Sequence, residues 1–257
     1  MTIIWCQNIW SNDPFYDEDL DGVSDQVDLC PHTPFDILVD ENGCDINRRF
    51  NGKLTLQIGS NLNVDRSSDI QSLLNLYIGY LYKNWEFSLS SSNYNNTNLN
   101  TIADTENDIF ISIAHLFQTS KSTTKLSLGT KFAFLDNTHR DNDYYASFSI
   151  EYLLDQKQNI FGYYSYTISA DTTTIDYKNY HLISLGTGYA VTAKWYSSFT
   201  FNYTTAYYQG GDPFQTLSWF NAYAIDETFY LSLNYAYGLS ESAYDHTFSF
   251  NIGAIFE

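Results

Sequence analysis

Asp245-His246-Thr247-Phe248-Ser249-Phe250-Asn251-Ile252-Gly253-Ala254-Ile255-Phe256 decides how the rest of the chain is read. Phe248, Phe250, Ile252, Ala254 and Phe256 fall on one face, and Thr247, Ser249, Asn251, Gly253 and Ile255 on the other. A repeat of two sends alternate side chains to opposite faces, which is a strand and not a helix.

The same texture continues toward the N-terminus. Phe229, Leu231, Leu233, Tyr235 and Tyr237 alternate with Ser232, Asn234 and Gly238. Earlier apolar rows are Phe199, Phe201 and Tyr203; Ile183, Leu185 and Tyr189; Phe148, Ile150, Tyr152 and Leu154; and Leu126, Leu128, Phe132 and Phe134. Before them come Ile109, Ile111 and Ile113; Trp85, Phe87 and Leu89; Leu74, Leu76, Ile78 and Tyr80; and Leu54, Leu56 and Ile58. The spacing predicts about twelve strands, each about 10 to 13 residues long, the length of a tilted membrane span.

None of these apolar positions is charged, but a soluble sandwich would share that property on its inner face. The opposite face discriminates. In a soluble sandwich it would meet water and carry many charges. Here it holds Ser, Thr, Asn, Gly and Ala, with Lys53, Glu86, Lys131 and Glu151 as its charges. Small polar residues suit a confined, wet lumen. Formal charge balances there, Lys53 and Lys131 against Glu86 and Glu151, so the lumen is expected to give no strong selectivity of its own.

Connection lengths agree. Tight links fall at Lys83-Asn84, Asp155-Gln156, Thr192-Ala193 and Asp226-Glu227, with a slightly longer one at Ser120-Lys121. Between them lie longer links at 61–70, 93–104, 136–142, 170–177, 208–213 and 239–243. Strict alternation is the pattern of an up-and-down outer-membrane barrel, with short periplasmic turns, long external loops and an even strand number. Both barrel ends are then expected on the periplasmic side. Tyr82 with Trp85, Tyr144 with Tyr145, Trp195 with Tyr196 and Tyr207 with Tyr208 sit near strand ends and read as interfacial girdles.

Composition supports this class. Of 257 residues 16% are charged and 18% aromatic, against about 25% charged in an ordinary soluble domain. No run of about 18 apolar residues offers a transmembrane helix. The net charge of −18 argues against nucleic acid, whose phosphates need clustered Lys and Arg, and favours calcium and other divalent cations as counterparts. Counting residues just inside the strand ends, the long links carry Asp65, Asp69, Asp104, Glu106, Asp108, Asp136, Asp141, Asp143, Asp171, Asp176, Asp212, Glu241 and Asp245 against Arg66, Arg140 and Lys178, and the opposite rim carries Lys83, Lys121, Lys125, Lys157 and Lys194 against Asp155, Asp226 and Glu227. An acidic external face, preferring cations or bridging to lipopolysaccharide through divalent ions, is expected. Met1 to Trp10 lacks a basic n-region and a long apolar stretch, so no intact signal peptide is read there.

Residues 11–47 differ from everything after them. They are rich in Asp, contain three of the four Pro and have no Lys or Arg. The boundary is placed near Arg48-Arg49, giving an acidic module at 1–49 and a barrel at 50–257. Within Asp17-Glu18-Asp19-Leu20-Asp21-Gly22-Val23-Ser24-Asp25-Gln26-Val27-Asp28, carboxylates occupy loop positions one, three, five, nine and twelve. Gly22 stands where a calcium loop turns sharply, and Val23 can offer its carbonyl. Asp17, Asp19, Asp21, Val23, Asp25 and Asp28 are therefore the candidate calcium ligands; the bland reading is a solvated acidic linker. Cys30 and Cys44 lie close together in the same segment, which suggests a local disulfide and an oxidising compartment, and leaves Cys6 over.

The sequel is Leu29-Cys30-Pro31-His32-Thr33-Pro34, then Val39-Asp40-Glu41-Asn42-Gly43-Cys44. Asp17 to Cys44 resembles the thrombospondin type 3 repeat in the form found in bacterial OmpA-like outer-membrane proteins. The resemblance covers about 30 residues and implies calcium at the Asp cluster and a Cys30–Cys44 bond. In many relatives the repeat links a barrel to a following peptidoglycan-binding domain. Here it precedes the barrel, which leaves peptidoglycan a doubtful partner.

No enzyme signature emerges. His32, His115, His139, His181 and His246 stand in no Ser-His-Asp or Ser-His-Asn context. Gly186-Thr187-Gly188 and Gly210-Gly211 lack the surroundings of a phosphate loop. The expectation is a porin-like or passive structural barrel in the bacterial outer membrane, contacting lipid, lipopolysaccharide and small solutes, with a periplasmic calcium-binding module. The alternatives are an envelope or surface interaction protein anchored by the barrel and, behind it, a membrane-embedded lipid hydrolase.

Overall fold

A computed structural model of the chain describes residues 17, 19, 22–25, 27–31, 33, 39–44, 52–65, 70–96, 107–134, 142–170 and 177–256. It divides into two compact units, parted between Asn51 and Gly52.

The larger unit is a closed antiparallel barrel of β1 (Lys53–Val64), β2 (Ile70–Tyr82), β3 (Trp85–Asn96), β4 (Asn107–Gln118), β5 (Ser122–Phe134), β6 (Asp143–Leu153), β7 (Gln158–Ile168), β8 (Tyr180–Thr192), β9 (Trp195–Thr204), β10 (Phe214–Ala224), β11 (Phe229–Gly238) and β12 (His246–Phe256). Each strand pairs with its neighbours in sequence, and β1 closes on β12 with Leu54 opposite Phe256. Closure leaves no sheet edge, the condition a hydrocarbon environment imposes because it offers no partner for free N–H and C=O groups. Following the strand register once around the sheet returns to β1 displaced by about 14 residues, a stagger that tilts the strands by about 40°.

The apolar packing is inverted relative to a soluble protein. Ile58, Leu76, Phe87, Leu128, Leu185, Phe199, Leu233 and Phe250 all stand exposed on the outward face. The buried hydrophobic set among the described residues is small and includes Ala114, Leu116, Ala222 and Ala236. A transmembrane barrel has this distribution because lipid takes the place of a core. The inward face is largely polar and only partly sealed: Gln57, Asn61, Ser88, Ser112, Ser147, Ser149, Ser184, Asn202 and Asn251 are half-buried, while Ser127, Ser165, Thr167, Ser198, Thr200, Ser218 and Ser232 on the same face are buried. Two stacked sheets around a dry core are thereby ruled out.

Short and long connections alternate, so one end of the barrel carries the tight turns and the other the long links. The turns show their own chemistry. Lys83 takes φ 52° in the two-residue link between β2 and β3, a conformation that a side chain other than Gly, Asn or Asp enters at some cost. Asp155 accepts hydrogen bonds at one oxygen from the N–H groups of Lys157 (2.7 Å) and Gln158 (2.8 Å). Asp226 repeats the device with Thr228 (2.9 Å) and Phe229 (2.7 Å). The β8–β9 link falls at Ala193-Lys194, one residue beyond the Thr192-Ala193 expected from sequence, because a bulge between Ala190 and Thr192 shifts the register.

The smaller unit is held by short-range bonds. The Leu29 N–H donates to the Asn42 carbonyl (2.8 Å) and the Asp40 N–H to the Cys44 carbonyl (2.7 Å). Buried Thr33 donates to the carbonyls of Cys30 and Gly43. A Cys30–Cys44 disulfide closes the segment, with Cα atoms 5.1 Å apart.

Candidate functional site

The inward positions of the barrel form the larger candidate site. Register places four carboxylates and three lysines on it: Lys53 on β1, Glu86 on β3, Asp108 on β4, Lys125 and Lys131 on β5, and Asp143 and Glu151 on β6. All seven lie on β1 to β6. The inward face of β7 to β12 carries no charged side chain.

Most of these charges occupy two groups. Near the turn end, Lys125 Nζ is 2.6 Å from Glu86 Oε1, and the Tyr77 hydroxyl donates to the same oxygen at 3.3 Å. Near the long-link end, Lys131 Nζ is 2.6 Å from Asp143 and 3.9 Å from Asp108. The two lysines are six residues apart on β5, so the groups are separated by about 20 Å along the strand. Asp143 also accepts a hydrogen bond from the Ala170 N–H (3.0 Å), tying the start of the β7–β8 link to this group. Glu151 accepts a hydrogen bond from the Asn159 amide. Lys53 opens β1 in the inward phase.

The uncharged half is built of hydroxyls, amides and rings. Asn202 is fixed at both ends: its oxygen accepts from Ser184 (2.7 Å), and its amide nitrogen donates to Thr216 (3.2 Å) and Ser218 (3.0 Å). Asn251 donates to Ser232 (3.1 Å). Inward glycines make room for rings from neighbouring strands. Phe161 covers Gly186, Tyr196 covers Gly188, Tyr145 covers Gly129 and Tyr230 covers Gly253. A Cβ at any of these positions would meet the ring, so the glycines let the aromatics lie along the wall. The hydroxyls of two of these rings are anchored, Tyr196 on Asn159 (3.1 Å) and Tyr230 on Gln57 (2.9 Å). At the long-link end, Tyr207 packs edge-on to Tyr180 (4.8 Å) and against Phe214 (5.0 Å), and burial pushes the Tyr207 phenol up. There the two links pair: the Lys178 N–H donates to the Tyr207 carbonyl, and Tyr177 bridges Tyr208.

The histidines share a different environment. His115, His181 and His246 lie in the outward phase. His115 packs between Trp85 (4.6 Å) and Phe117 (4.5 Å). The Nδ1 atoms of His181 and His246 meet tyrosine hydroxyls, Tyr164 and Tyr235, each at 2.9 Å. His32 and His139 lie outside the described residues.

The acidic module is the second candidate site. The Gly22 N–H donates to Asp17 Oδ2 (3.0 Å), and Gly22 takes φ 97°, so the chain turns back on its first carboxylate. Asp17 Oδ1 is shielded from solvent and accepts no hydrogen bond; Asp19 Oδ2 is shielded likewise. Asp28 uses one oxygen on the Cys30 N–H (2.7 Å). Val23 and Asp25 are described and Asp21 is not, and among the described residues no three acidic, His or Cys side chains form a metal-binding group.

The barrel has the fold of known outer-membrane channels. The NanC porin superposes with a TM-score of 0.58 at 13% identity, covering 79% of this chain and 99% of that one. The COG4313 outer membrane channel of Pseudomonas putida F1 gives a TM-score of 0.61 at 9% identity, over 80% of this chain and 95% of that one. The KdgM porin gives a TM-score of 0.55 at 9% identity, over 79% and 98%. No protein-family model matches the sequence, and no curated protein matches it.

The lumen reading of the sequence needs correction in its details. Asp108 and Asp143, assigned there to the external loops, point inward and pair with Lys131. Lys125, read from sequence as part of the turn-side rim, stands in the lumen with Glu86. Formal charge on the inward strand positions is therefore not balanced, and the ion pairs join residues that the sequence reading treated separately. Each missed residue carried one usable signal: it stands in the polar phase of its own strand.

Proposed function

We propose that the protein is a passive channel of the bacterial outer membrane for small polar solutes, with the long links outside and the tight turns in the periplasm. The observation that carries this reading is the inward face: a largely polar lining, much of it not sealed from water, with Lys125 and Glu86, and Lys131 with Asp143 and Asp108, held in the wall as ion pairs. A barrel serving only as an anchor has no need of a wet interior. Purified protein in planar lipid bilayers is expected to give discrete conductance steps. A folded barrel that inserts and never conducts would overturn the reading.

The expected selectivity is for cations. With Asp108 and Asp143 held by Lys131, the bias rests on the remaining acidic residues of the long links, such as Asp65, Asp212, Glu241 and Asp245, and on the one-charge excess of carboxylates in the lumen. Reversal potentials in a potassium chloride gradient test it: cation preference should shrink at high salt, where screening shortens the field to a few ångströms.

For the N-terminal unit the reading is a periplasmic calcium-binding module of the thrombospondin type 3 kind. Asp17, Asp19, Asp21, Asp25 and Asp28 would supply carboxylates and Val23 its carbonyl. The Asp17 oxygen left without a hydrogen bond and the Gly22 turn support the fit, because a hard cation takes oxygens that hydrogen bonds leave over. Bound calcium would neutralise crowded carboxylates and fix the loop. Calorimetry on the full chain should detect binding at or below millimolar calcium; heat equal to that of a D17N/D19N variant would overturn it.

A further inference from the structure

Six aromatic rings follow one another along the lumen wall of β6 to β9 and the adjoining link: Tyr196, Phe161, Tyr163, Tyr145, Tyr180 and Tyr207. Phe161 and Tyr163 are consecutive inward positions of β7, about 7 Å apart. Tyr196 lies on the turn side of Phe161, its ring over Gly188. Toward the other end, Tyr145, Thr167 and Tyr180 form one cross-strand row, and Tyr207 packs 4.8 Å from Tyr180 at the long-link end. All six are half-buried on the inward side of the wall. Phe161, Tyr196 and Tyr145 lie across glycines, so no Cβ lifts these rings off the wall.

The surroundings of this column are uncharged donors and acceptors. Ser184, Asn202, Thr216 and Ser218 form a fixed amide–hydroxyl cluster on the adjoining strands. The charges beside the column are Glu151, opposite Phe161 in register, and Asp143 with its partner Lys131. No lysine or arginine lies in the inward phase of β7 to β12. A ligand suited to this wall has apolar C–H faces for the rings, many hydroxyls for the amides, linear extent along the column, and no negative charge. Those are the properties of a neutral oligosaccharide. Resting on the channel reading above, we propose that the lumen is a track for linear, uncharged oligosaccharides, with the aromatic column binding successive sugar faces. One structural neighbour, the KdgM porin, is known in complex with disordered oligogalacturonate, an acidic saccharide; the carboxylates beside this column disfavour such a ligand here.

The test is current block in planar bilayers by the full-length protein. Maltohexaose, cellohexaose, hexagalacturonate and a polyethylene glycol of similar size are added in turn. At least one neutral hexasaccharide should block saturably, more tightly than hexagalacturonate and more tightly than the glycol, which matches size without ring-stacking faces. Phe161→Ala and Tyr163→Ala should each weaken that block by about three- to tenfold, the worth of one aromatic contact, while current without sugar persists. Asn75→Ala, on β2 and five strands away from β7, should leave the block unchanged. Conduction with no block by either neutral sugar, tighter block by hexagalacturonate, or ring variants that block like the parent would overturn the track and leave the channel reading standing. Absence of any current in the parent protein would overturn the channel reading, and the track with it.

Discussion

Lys131 and Asp143, on adjacent strands, form an ion pair of 2.6 Å inside the barrel, and Asp108 stands 3.9 Å from the same ammonium on the other side. One cation thus serves two carboxylates at the long-link end of the lumen, and the group as a whole carries one negative charge.

Replacing Lys131 with Gln should raise cation selectivity. The change removes one positive charge from the wall. A unit charge about 7 Å from a permeating ion in water is worth about 0.6 kcal/mol; its loss favours a cation and disfavours an anion by that much each, so the cation-to-anion permeability ratio should rise about sevenfold at low salt. Reversal potentials measure it. An unchanged ratio would mean that permeating ions do not pass this group. The variant should also lose about 1–2 kcal/mol of stability, a modest figure because the lysine side chain keeps 22% exposure and water screens the pair.

Ser198 is expected to tolerate Ala better than an inward polar residue should. It is 1% exposed, and its hydroxyl has no hydrogen-bond partner. Removing a buried, unsatisfied hydroxyl lifts a desolvation penalty of about 1–3 kcal/mol, offset by the small loss of packing. Urea unfolding from lipid vesicles should show Ser198→Ala as neutral or stabilised. A loss of more than about 1 kcal/mol would show that the hydroxyl is bonded after all.

The turn aspartates Asp155 and Asp226 should make stability fall in acid. Backbone N–H groups of Lys157 and Gln158 hold the Asp155 carboxyl below its usual range, and those of Phe229 and Thr228 do the same for Asp226. A carboxylate whose folded pKa is depressed contributes fully above its unfolded value of about 3.9, and loses that contribution as pH falls through the folded pKa. Asp155→Ala and Asp226→Ala should therefore be less stable than the parent at pH 7, with the gap closing at strongly acid pH. A gap independent of pH would assign it to turn geometry alone.

Reducing the Cys30–Cys44 bond should loosen the small unit and leave the barrel intact. The bridge spans a separation of 14 residues, and a loop of that size is worth about 3 kcal/mol in the chain-entropy model. Limited proteolysis with and without reductant, read by mass spectrometry, should show new cleavage within residues 17–44 only under reduction. Two free thiols at Cys30 and Cys44 in the untreated protein would contradict the bridge.

About twelve strands, the outward face of ten of them and the alternation of link lengths were legible in the residues, because period two and turn chemistry are local; no outward row was read for β7 or β10. Phe248, Phe250 and Ile252 announce their face without reference to any other strand. Glu86 and Lys131 were legible as lumen residues on the same ground. Their partners were not. Glu86 meets Lys125 across 39 positions of chain, and Lys131 holds Asp108 and Asp143 from the two flanking strands. Those meetings depend on register and on where each strand ends. Asp108 and Asp143 stand at strand margins, where one residue of boundary separates loop from lumen. The laying of Phe161 over Gly186 and Tyr145 over Gly129 was hidden for the same reason: glycine in one strand and ring in the next become a pair only when the sheet fixes their register. Periodicity settled which side of the wall each residue faces; the closed, staggered sheet decided which residues meet there.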